Sequence, residues 1–214
     1  MDIDGLREAI CDLRYLLNRG YRRKAALNVV SNRYGLSTES RNFLVRAVFS
    51  SAEAEENKKK LLELGGIKGK EVAIDGYNVM ICVEESLRGG DVFLCDDGFV
   101  RDARGAFGNY KASSVTDKAI DKILRLLSKN SVGKAVFVFD SQISHSGELA
   151  SKLRLKMRGL GIEGDVVAVP NADHIVGTHQ VVGTSDRAII KRASKALDIV
   201  SYIAKDIKRL PECP

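Results

Sequence analysis

Short apolar segments alternate with helical patterns from residue 71 onward, and this alternation constrains the fold more than any other feature of the chain. Four segments have the length of one buried strand: EVAID (71–75), KAVFVFD (134–140), DVVAVP (165–170) and HQVVGTS (179–185). Amphipathic helical patterns separate them, as in VTDKAIDKILRLLSK (115–129). Strands that are joined through helices pair in parallel by right-handed crossovers. We therefore predict an α/β fold with a mostly parallel sheet.

Two further patterns add strands to this prediction. The segment DVFLCDDGFVRD alternates around Asp97-Gly98, which is typical of a tight hairpin turn. Near the C-terminus, LDIVSYI (197–203) favours a last edge strand.

An aspartate stands at the end of each of the four buried segments or shortly after it. Asp75 closes the first and Asp140 the second, whereas Asp173 and Asp186 follow the other two. Parallel strands bring their carboxyl ends to one edge, where open α/β sheets bind ligands. Clustered carboxylates raise one another's pKa unless a cation neutralises them, and Mg²⁺ or Mn²⁺ prefers oxygen ligands. We therefore predict a catalytic pocket of these four aspartates, in which Asp75, Asp140 and Asp186 bind Mg²⁺ or Mn²⁺.

The prediction depends on the convergence of the four side chains, because a single aspartate after a strand is as often only a helix N-cap. Polar residues near the aspartates are the predicted supporting groups: Asn78, Thr184, Ser185, Ser144, Ser146 and Asp102. Ser144 and Ser146 precede a helical pattern whose free N–H groups would suit a phosphate, although simple capping explains them equally well.

Several other phosphate-binding signatures are absent from the sequence. GGIKGKE (65–71) has neither the spacing nor the final hydroxyl of a P-loop, and no GxGxxG follows a predicted strand. A haloacid-type phosphatase would carry DxD after its first strand, whereas this chain has DGY. The pattern therefore favours metal-assisted chemistry on a phosphodiester, in which one or two ions activate water.

Residues 1–66 form a predicted helical domain that is strongly basic, and residues 65–70 form a plausible linker to the α/β domain at 70–214. Most of the net charge of +6 lies in the first 70 residues. A concentrated positive field attracts polyanions. The predicted nucleic-acid contacts are Arg22, Arg23, Lys24, Arg33 and Arg41.

The helices expected at 22–34 and from residue 37 onward flank YGLS, and this arrangement resembles a helix-turn-helix with Gly35 at the turn. The second helix is expected to continue through the charged segment SAEAEENKKKLLEL (51–64). Many helical hairpins use glycine in this way, so DNA reading is only one interpretation of the segment.

The four cysteines, Cys11, Cys82, Cys95 and Cys213, show no metal-ligand spacing, so we expect reduced thiols, with a Cys82–Cys95 disulfide as the alternative. No apolar run approaches the roughly 20 residues of a membrane span. The first residues, MDIDGLRE, have neither the basic nor the apolar region of a signal peptide. We therefore expect a cytoplasmic protein without membrane contact.

The motifs DGYNV, VFD, ADxI and VVGTSDRAI, in this order, resemble the PIN-like ribonucleases of the NYN group over about residues 70–200. Together with DDGFVRD and SHSGEL, the pattern is similar to an uncharacterised prokaryotic, archaeal family in which a helical domain precedes a PIN-like domain. The resemblance implies a Rossmann-type α/β/α sandwich and Mg²⁺- or Mn²⁺-dependent RNA cleavage. It places Asp75, Asp140, Asp173 and Asp186 in the acidic pocket, with Asn78 and Ser185 beside them.

The chain departs from the PIN pattern at one acidic position. PIN domains bring a further acid from a helix in the middle of the chain, and the candidates here are Asp117, Asp121 and Glu85.

Three functions remain open at this point. The leading hypothesis is a metal-dependent endoribonuclease that acts on single-stranded or structured RNA. The alternatives are a non-catalytic RNA-binding protein with a PIN-like fold, and a DNA-binding regulator that uses the segment at 22–48. The sequence also leaves a homodimer open.

Overall fold

The computed structural model describes residues 2–104 and 110–213 of the 214-residue chain. The α-helices of these residues are α1 (Arg7–Asn18), α2 (Arg23–Arg33), α3 (Thr38–Ala47), α4 (Ser51–Lys58), α5 (Gly76–Leu87), α6 (Ser114–Lys129), α7 (Ser146–Gly159), α8 (Ala172–Val176) and α9 (Arg187–Arg192). The strands are β1 (Glu71–Asp75), β2 (Val92–Leu94), β3 (Val100–Asp102), β4 (Lys134–Asp140), β5 (Gly164–Val169), β6 (Val181–Gly183), β7 (Lys195–Leu197) and β8 (Ile207–Arg209).

Five strands form the central sheet in the order β5-β4-β1-β6-β7, and each neighbouring pair is parallel. The predicted α/β fold with a mostly parallel sheet is thus confirmed. The register pairs Asp75 with Val138 and Asp140 with Val169. The carboxyl ends of β1, β4 and β5 therefore lie at one edge of the sheet.

Helices cover both faces of this sheet, which explains why its strands are apolar on both sides. On one face, Val72 and Ile74 of β1 belong to a core that also contains residues of α5, α6 and α7. On the other face, Ala73 packs in a core with residues of α8 and α9. Alternate residues of one strand thus face opposite layers.

The N-terminal helices have a core of their own, which includes Ile10, Leu13 and Phe43. Phe93 of the β2–β3 hairpin and Leu210 near the C-terminus also belong to it. The hairpin predicted around Asp97-Gly98 is confirmed, because β2 and β3 pair in antiparallel fashion. Later segments of the chain therefore complete the core of the predicted helical domain.

The sequence predicted that the charged segment after α3 continues that helix, but this prediction was wrong. Val48 has extended backbone angles and ends α3, and the side chain of Ser50 then caps α4 by accepting a hydrogen bond from the N–H of Glu53. Serine at an N-cap starts a new helix because it satisfies an amide that the helix leaves free.

The prediction of one edge strand over residues 197–203 was wrong in its extent. Strand β7 covers Lys195–Leu197, and a 3-10 helix follows at Val200–Tyr202. The carboxylate of Asp198 turns the chain by accepting hydrogen bonds from the N–H groups of Val100 and Ser201. The unexpected strand β8 pairs with β2, which gives a second sheet in the order β3-β2-β8.

The prediction of four reduced cysteines was also wrong. Cys11 and Cys213 form a disulfide with a Cα–Cα distance of 5.5 Å, whereas Cys82 and Cys95 are free and buried. Arg14 holds the C-terminal segment against α1, since its guanidinium donates to the carbonyl of Pro211 and to Sγ of Cys213. A sequence separation of 202 residues hides this proximity from the sequence.

Across residues 2–104 and 110–213, no helix combines the length and the apolar character that crossing a bilayer requires.

Candidate functional site

Asp75 stands where β1 passes directly into α5. The chain makes this turn close to the ring of Phe139, and a Cβ on Gly76 would lie 2.5–2.7 Å from three of its atoms. Asp75 is the N-cap residue of α5, but its side chain makes no capping hydrogen bond. Its carboxylate is buried and instead accepts a hydrogen bond from Thr184 Oγ1 at 3.0 Å.

Asp140 ends β4, the neighbour of β1, and Asp173 follows β5, the next strand of the sheet. Asp140 is the last residue of β4, and its Oδ1 accepts a hydrogen bond from the N–H of Gln142 at 2.8 Å. Asp173 lies in the first turn of α8, directly after β5. Asn171 brings the chain from the strand into this helix with a left-handed backbone, at a φ of 60°.

Asp186 is the N-cap of α9, and its Oδ1 accepts hydrogen bonds from the N–H groups of Ala188 and Ile189 at 2.7 and 3.0 Å. The capping role that the sequence allowed is therefore real for this aspartate. It does not exclude a second role, because a carboxylate has four lone-pair sites on its two oxygens.

The polar neighbours of Asp75 and Asp186 tie β1 to the segment after β6. Asn78 Oδ1 accepts hydrogen bonds from the N–H and the hydroxyl of Ser185, at 2.9 and 3.0 Å. Thr184 Oγ1 donates to Asp75 and accepts from the N–H of Asp186 at 3.0 Å. Thr184 and Ser185 are both buried, so these bonds fix the geometry at the edge of the sheet.

All four aspartates line one cavity of about 270 Å³, which we call the acidic cavity. The other residues of its wall are Tyr77, Asn78, Ile143 and Ala172. The four aspartates thus come from four different segments of the chain, which meet at the carboxyl ends of the strands.

The electrostatics of the acidic cavity reflect burial and like charges. Burial, and then the charges of Asp173 and Asp186, raise the pKa of Asp75 to about 7. Burial, the charge of Asp186 and that of Asp140 also raise the pKa of Asp173, although the charge of Arg192 opposes this change. The cavity is therefore a place where a positive ion would lower the free energy of the ionised carboxylates.

The chemistry of the wall fits a hard cation, because the donors are carboxylate, amide and phenol oxygens without histidine or cysteine. In the part of the chain that the structure describes, however, no group of three His, Cys, Asp or Glu residues is arranged to hold a metal ion. Mg²⁺ commonly keeps several waters and uses only one or two carboxylates. The arrangement therefore suits a hydrated Mg²⁺ or Mn²⁺ ion better than a fully dehydrated one.

Asn78 lines the acidic cavity, and Thr184 and Ser185 hydrogen-bond to residues of its wall, whereas the other three predicted supporting residues lie apart from it. Ser144 lines a larger neighbouring cavity. Ser146 is the first residue of α7 and not its N-cap, a position that His145 takes with a left-handed backbone. Asp102 is buried in β3, where its carboxylate lies 3.5 Å from Arg46. It lines a small pocket beside α5 and not the acidic cavity.

The candidates for a further acid are engaged in ion pairs elsewhere. Asp117 pairs with Lys152 at 2.6 Å and Asp121 pairs with Lys156 at 2.5 Å, which joins α6 to α7. Neither lines the acidic cavity, and the same is true of Glu85.

Among the predicted nucleic-acid contacts, Arg22, Lys24 and Arg33 are exposed. Arg23 is not available for such contacts, because it donates to the carbonyls of Val45 and Val48 and pairs with Glu53.

Arg41 is half-buried and donates to Asn28, so its role is at least partly structural. The sequence could not show which of these basic residues are exposed, because the helices bury their side chains unequally.

Sequence reasoning missed a buried arginine behind the acidic cavity. Arg101 Nε donates to the backbone carbonyl of Ser185 at 2.8 Å, and its guanidinium pairs with Asp97. The only signal in the sequence was an arginine between Val100 and Asp102 in the predicted hairpin.

Comparison with known proteins gives a family without an assigned activity. Residues 64–202 match the model of the domain of unknown function DUF5616, and residues 5–60 match that of DUF434, a protein of unknown function. The chain is 41% identical to Uncharacterized protein MJ0935 of Methanocaldococcus jannaschii over 210 residues, which cover 98% of this chain and 99% of the relative. No solved structure matches the chain. By the match over most of its length, this chain belongs to the DUF5616 family.

Proposed function

We propose that the protein is a cytoplasmic, metal-dependent ribonuclease with a PIN-like fold, which hydrolyses phosphodiester bonds of RNA. The observation that carries this proposal is the convergence of Asp75, Asp140, Asp173 and Asp186 on one cavity at the carboxyl edge of a parallel sheet. Sites that act on phosphodiesters through Mg²⁺ or Mn²⁺ use such oxygen clusters.

The residues of the acidic cavity have different roles in this proposal. Asp75, Asp140 and Asp186 hold one or two Mg²⁺ or Mn²⁺ ions, which when bound supply a Lewis acid for the phosphate and activate water. Thr184 orients the Asp75 carboxylate through its hydrogen bond. Asp173 is more exposed than Asp75 and has a raised pKa, so its carboxylate can accept a proton and release it to solvent.

The helical region supplies a second contact with RNA. Arg22 and Lys24 are exposed at the start of α2, and Arg33 is exposed at its end. Exposed Lys and Arg side chains bind phosphates without sequence preference and make binding depend on salt.

Cleavage of a labelled single-stranded RNA with and without Mn²⁺ tests the proposal. Asp140→Asn keeps the size of the side chain and should abolish Mn²⁺-stimulated cleavage. The matched control is Asp206→Asn, since Asp206 is exposed and lies outside the acidic cavity. Cleavage that Asp140→Asn leaves unchanged would remove the assignment.

A non-catalytic RNA-binding protein is the second candidate. It is favoured by the lack, within residues 2–104 and 110–213, of three His, Cys, Asp or Glu residues that are arranged to hold one ion. This candidate predicts RNA binding that depends on salt and on Arg22 and Lys24, with no effect of Mn²⁺. A titration of the wild-type protein with Mn²⁺ separates the two.

The DNA-binding alternative has less support. Arg41 and Arg46 of α3 make contacts within the chain, to Asn28 and to the carbonyl of Asp102. A sequence preference for duplex DNA would be needed to favour it over RNA.

A further inference from the structure

A cavity of about 910 Å³ adjoins the acidic cavity, and Tyr77 and Ile143 line both. We call it the tyrosine cavity; its wall also includes Tyr110, Lys111, Gln142 and Leu149. Small-molecule sites have volumes of about 300–1,000 Å³. The tyrosine cavity therefore has room for a group of nucleotide size directly beside the four aspartates.

One wall of the tyrosine cavity is an anchored aromatic ring. The hydroxyl of Tyr110 donates to Glu84 Oε1 at 2.5 Å and lies 2.9 Å from Thr116 Oγ1. Its ring packs against that of Tyr77, with the centroids 5.2 Å apart, and Tyr77 packs in turn against Phe139. An aromatic ring that is held in place is a good stacking platform for a base, because little conformational entropy is lost on binding.

Tyr77, which lines both cavities, carries a hydroxyl without a partner among the described residues. Tyr77 is 4% exposed, and within the described ranges its hydroxyl is buried and makes no hydrogen bond. A buried hydroxyl without a partner is unfavourable, so such a group calls for an explanation. An oxygen of a ligand that spans the two cavities would satisfy it.

The remaining polar groups of the wall suit a nucleotide. The amide of Gln142 offers both a donor and an acceptor to a base edge, and Lys111 offers a cation to a phosphate. The exposed Glu148 is negative, but it lies 3.1 Å from the ring of His145, which faces it from the preceding turn. The phosphate is thus expected on the side of Lys111.

We propose that the tyrosine cavity binds one unpaired nucleotide of single-stranded RNA, next to the phosphodiester at the acidic cavity. The base stacks on Tyr110, and the Tyr77 hydroxyl donates to a backbone oxygen at the junction. This proposal rests on the proposed ribonuclease function and narrows its substrate to unpaired RNA, because a base inside a duplex cannot reach the ring.

The test is the fluorescence anisotropy of a labelled six-nucleotide single-stranded RNA in a buffer with a chelator. Tyr110→Leu should weaken binding about 5- to 150-fold, which is the range for loss of one stacked base. Tyr77→Phe should weaken it about 5-fold, the equivalent of one hydrogen bond. Since no hydrogen bond within the described ranges depends on the Tyr77 hydroxyl, this variant should keep the fold.

Two controls make the test specific. Tyr110→Phe keeps the ring but loses the hydroxyl contacts with Glu84 and Thr116, so it should bind RNA more tightly than Tyr110→Leu does. Tyr202→Phe also removes one hydroxyl, which accepts a hydrogen bond from the N–H of Leu64 and lies outside both cavities, and should leave binding unchanged.

Cleavage in Mn²⁺, measured on the same proteins, separates this proposal from the ribonuclease function. If the wild type cleaves RNA, but Tyr77→Phe or Tyr110→Leu binds RNA as tightly as the wild type does, the nucleotide site alone is overturned. If the wild type does not cleave RNA, but both variants bind RNA more weakly than it does, the nucleotide site is supported and the ribonuclease function is removed.

Discussion

Asp97 and Arg101 form a buried ion pair through two hydrogen bonds of 2.7 and 2.8 Å. Their side chains are 0% and 3% exposed. Asn57 of α4 donates to Asp97 at 3.1 Å, and Arg101 donates to the carbonyl of Ser185. The ion pair therefore connects the helical region to the segment that positions Asp75 and Asp186.

Loss of this arginine should destabilise the protein strongly. Arg101→Met leaves the charge of Asp97 buried without its partner, and such a change costs about 3–5 kcal/mol of the free energy of unfolding. Urea denaturation measures this difference. Arg33→Met is the control, because the Arg33–Asp12 pair is exposed to solvent and should contribute little to stability. If the two changes lower the free energy of unfolding equally, the buried pair stabilises the fold no more than an exposed pair does.

The raised pKa of Asp75 predicts how stability depends on pH. The folded protein binds this proton more tightly than the unfolded chain does, so metal-free stability falls as the pH rises from about 4 through 7. Asp75→Asn removes the titrating group but keeps an oxygen for Thr184. In a chelator the variant should be the more stable protein at pH 8, by at most about 4 kcal/mol.

Urea denaturation at pH 5 and pH 8 checks this prediction, with Asp206→Asn as the control. If the stabilities of the wild type and of Asp75→Asn depend on pH in the same way, the surroundings do not raise the pKa of the Asp75 carboxyl.

A side chain at residue 76 should disturb the acidic cavity. Gly76→Ala forces the ring of Phe139 to move, and this ring precedes Asp140 directly. We expect a loss of about 1–3 kcal/mol in the free energy of unfolding, together with weaker Mn²⁺ binding. Gly159→Ala is the control, since a Cβ at the end of α7 would meet nothing within 4 Å. The same stability for both variants would contradict the packing described for β1 and α5.

Reduction of the Cys11–Cys213 disulfide should lower stability, because the bond closes most of the chain into one loop. The chain-entropy model gives an upper value of about 5 kcal/mol for a loop of this length. Urea denaturation with and without dithiothreitol measures the effect, and Cys213→Ser should be insensitive to the reductant. An identical midpoint for the wild type in both conditions would show that the bond adds no stability.

The central sheet could be predicted from the sequence because its signals are local. Apolar runs such as KAVFVFD have the length of a buried strand, and helical patterns between them imply parallel pairing. The positions of Asp75 and Asp140 followed from the same argument, since each ends its strand.

The features that could not be predicted depend on partners far away in the sequence. Strand β8 is polar and only three residues long, and it forms because β2 offers it an open edge. The roles of Arg23 and Arg101 depend on acids that other elements supply, namely Glu53 and Asp97. A basic residue in the sequence therefore does not show by itself whether it binds RNA or another part of the chain.

Direct measurement of Mn²⁺ binding by electron paramagnetic resonance tests the central claim that the four aspartates form a cation site. We expect one or two Mn²⁺ ions per wild-type chain, at least about tenfold weaker binding by Asp75→Asn and Asp140→Asn, and no change in Asp206→Asn. A wild-type protein that binds no Mn²⁺, or variants that bind it as tightly as the wild type, would contradict the account.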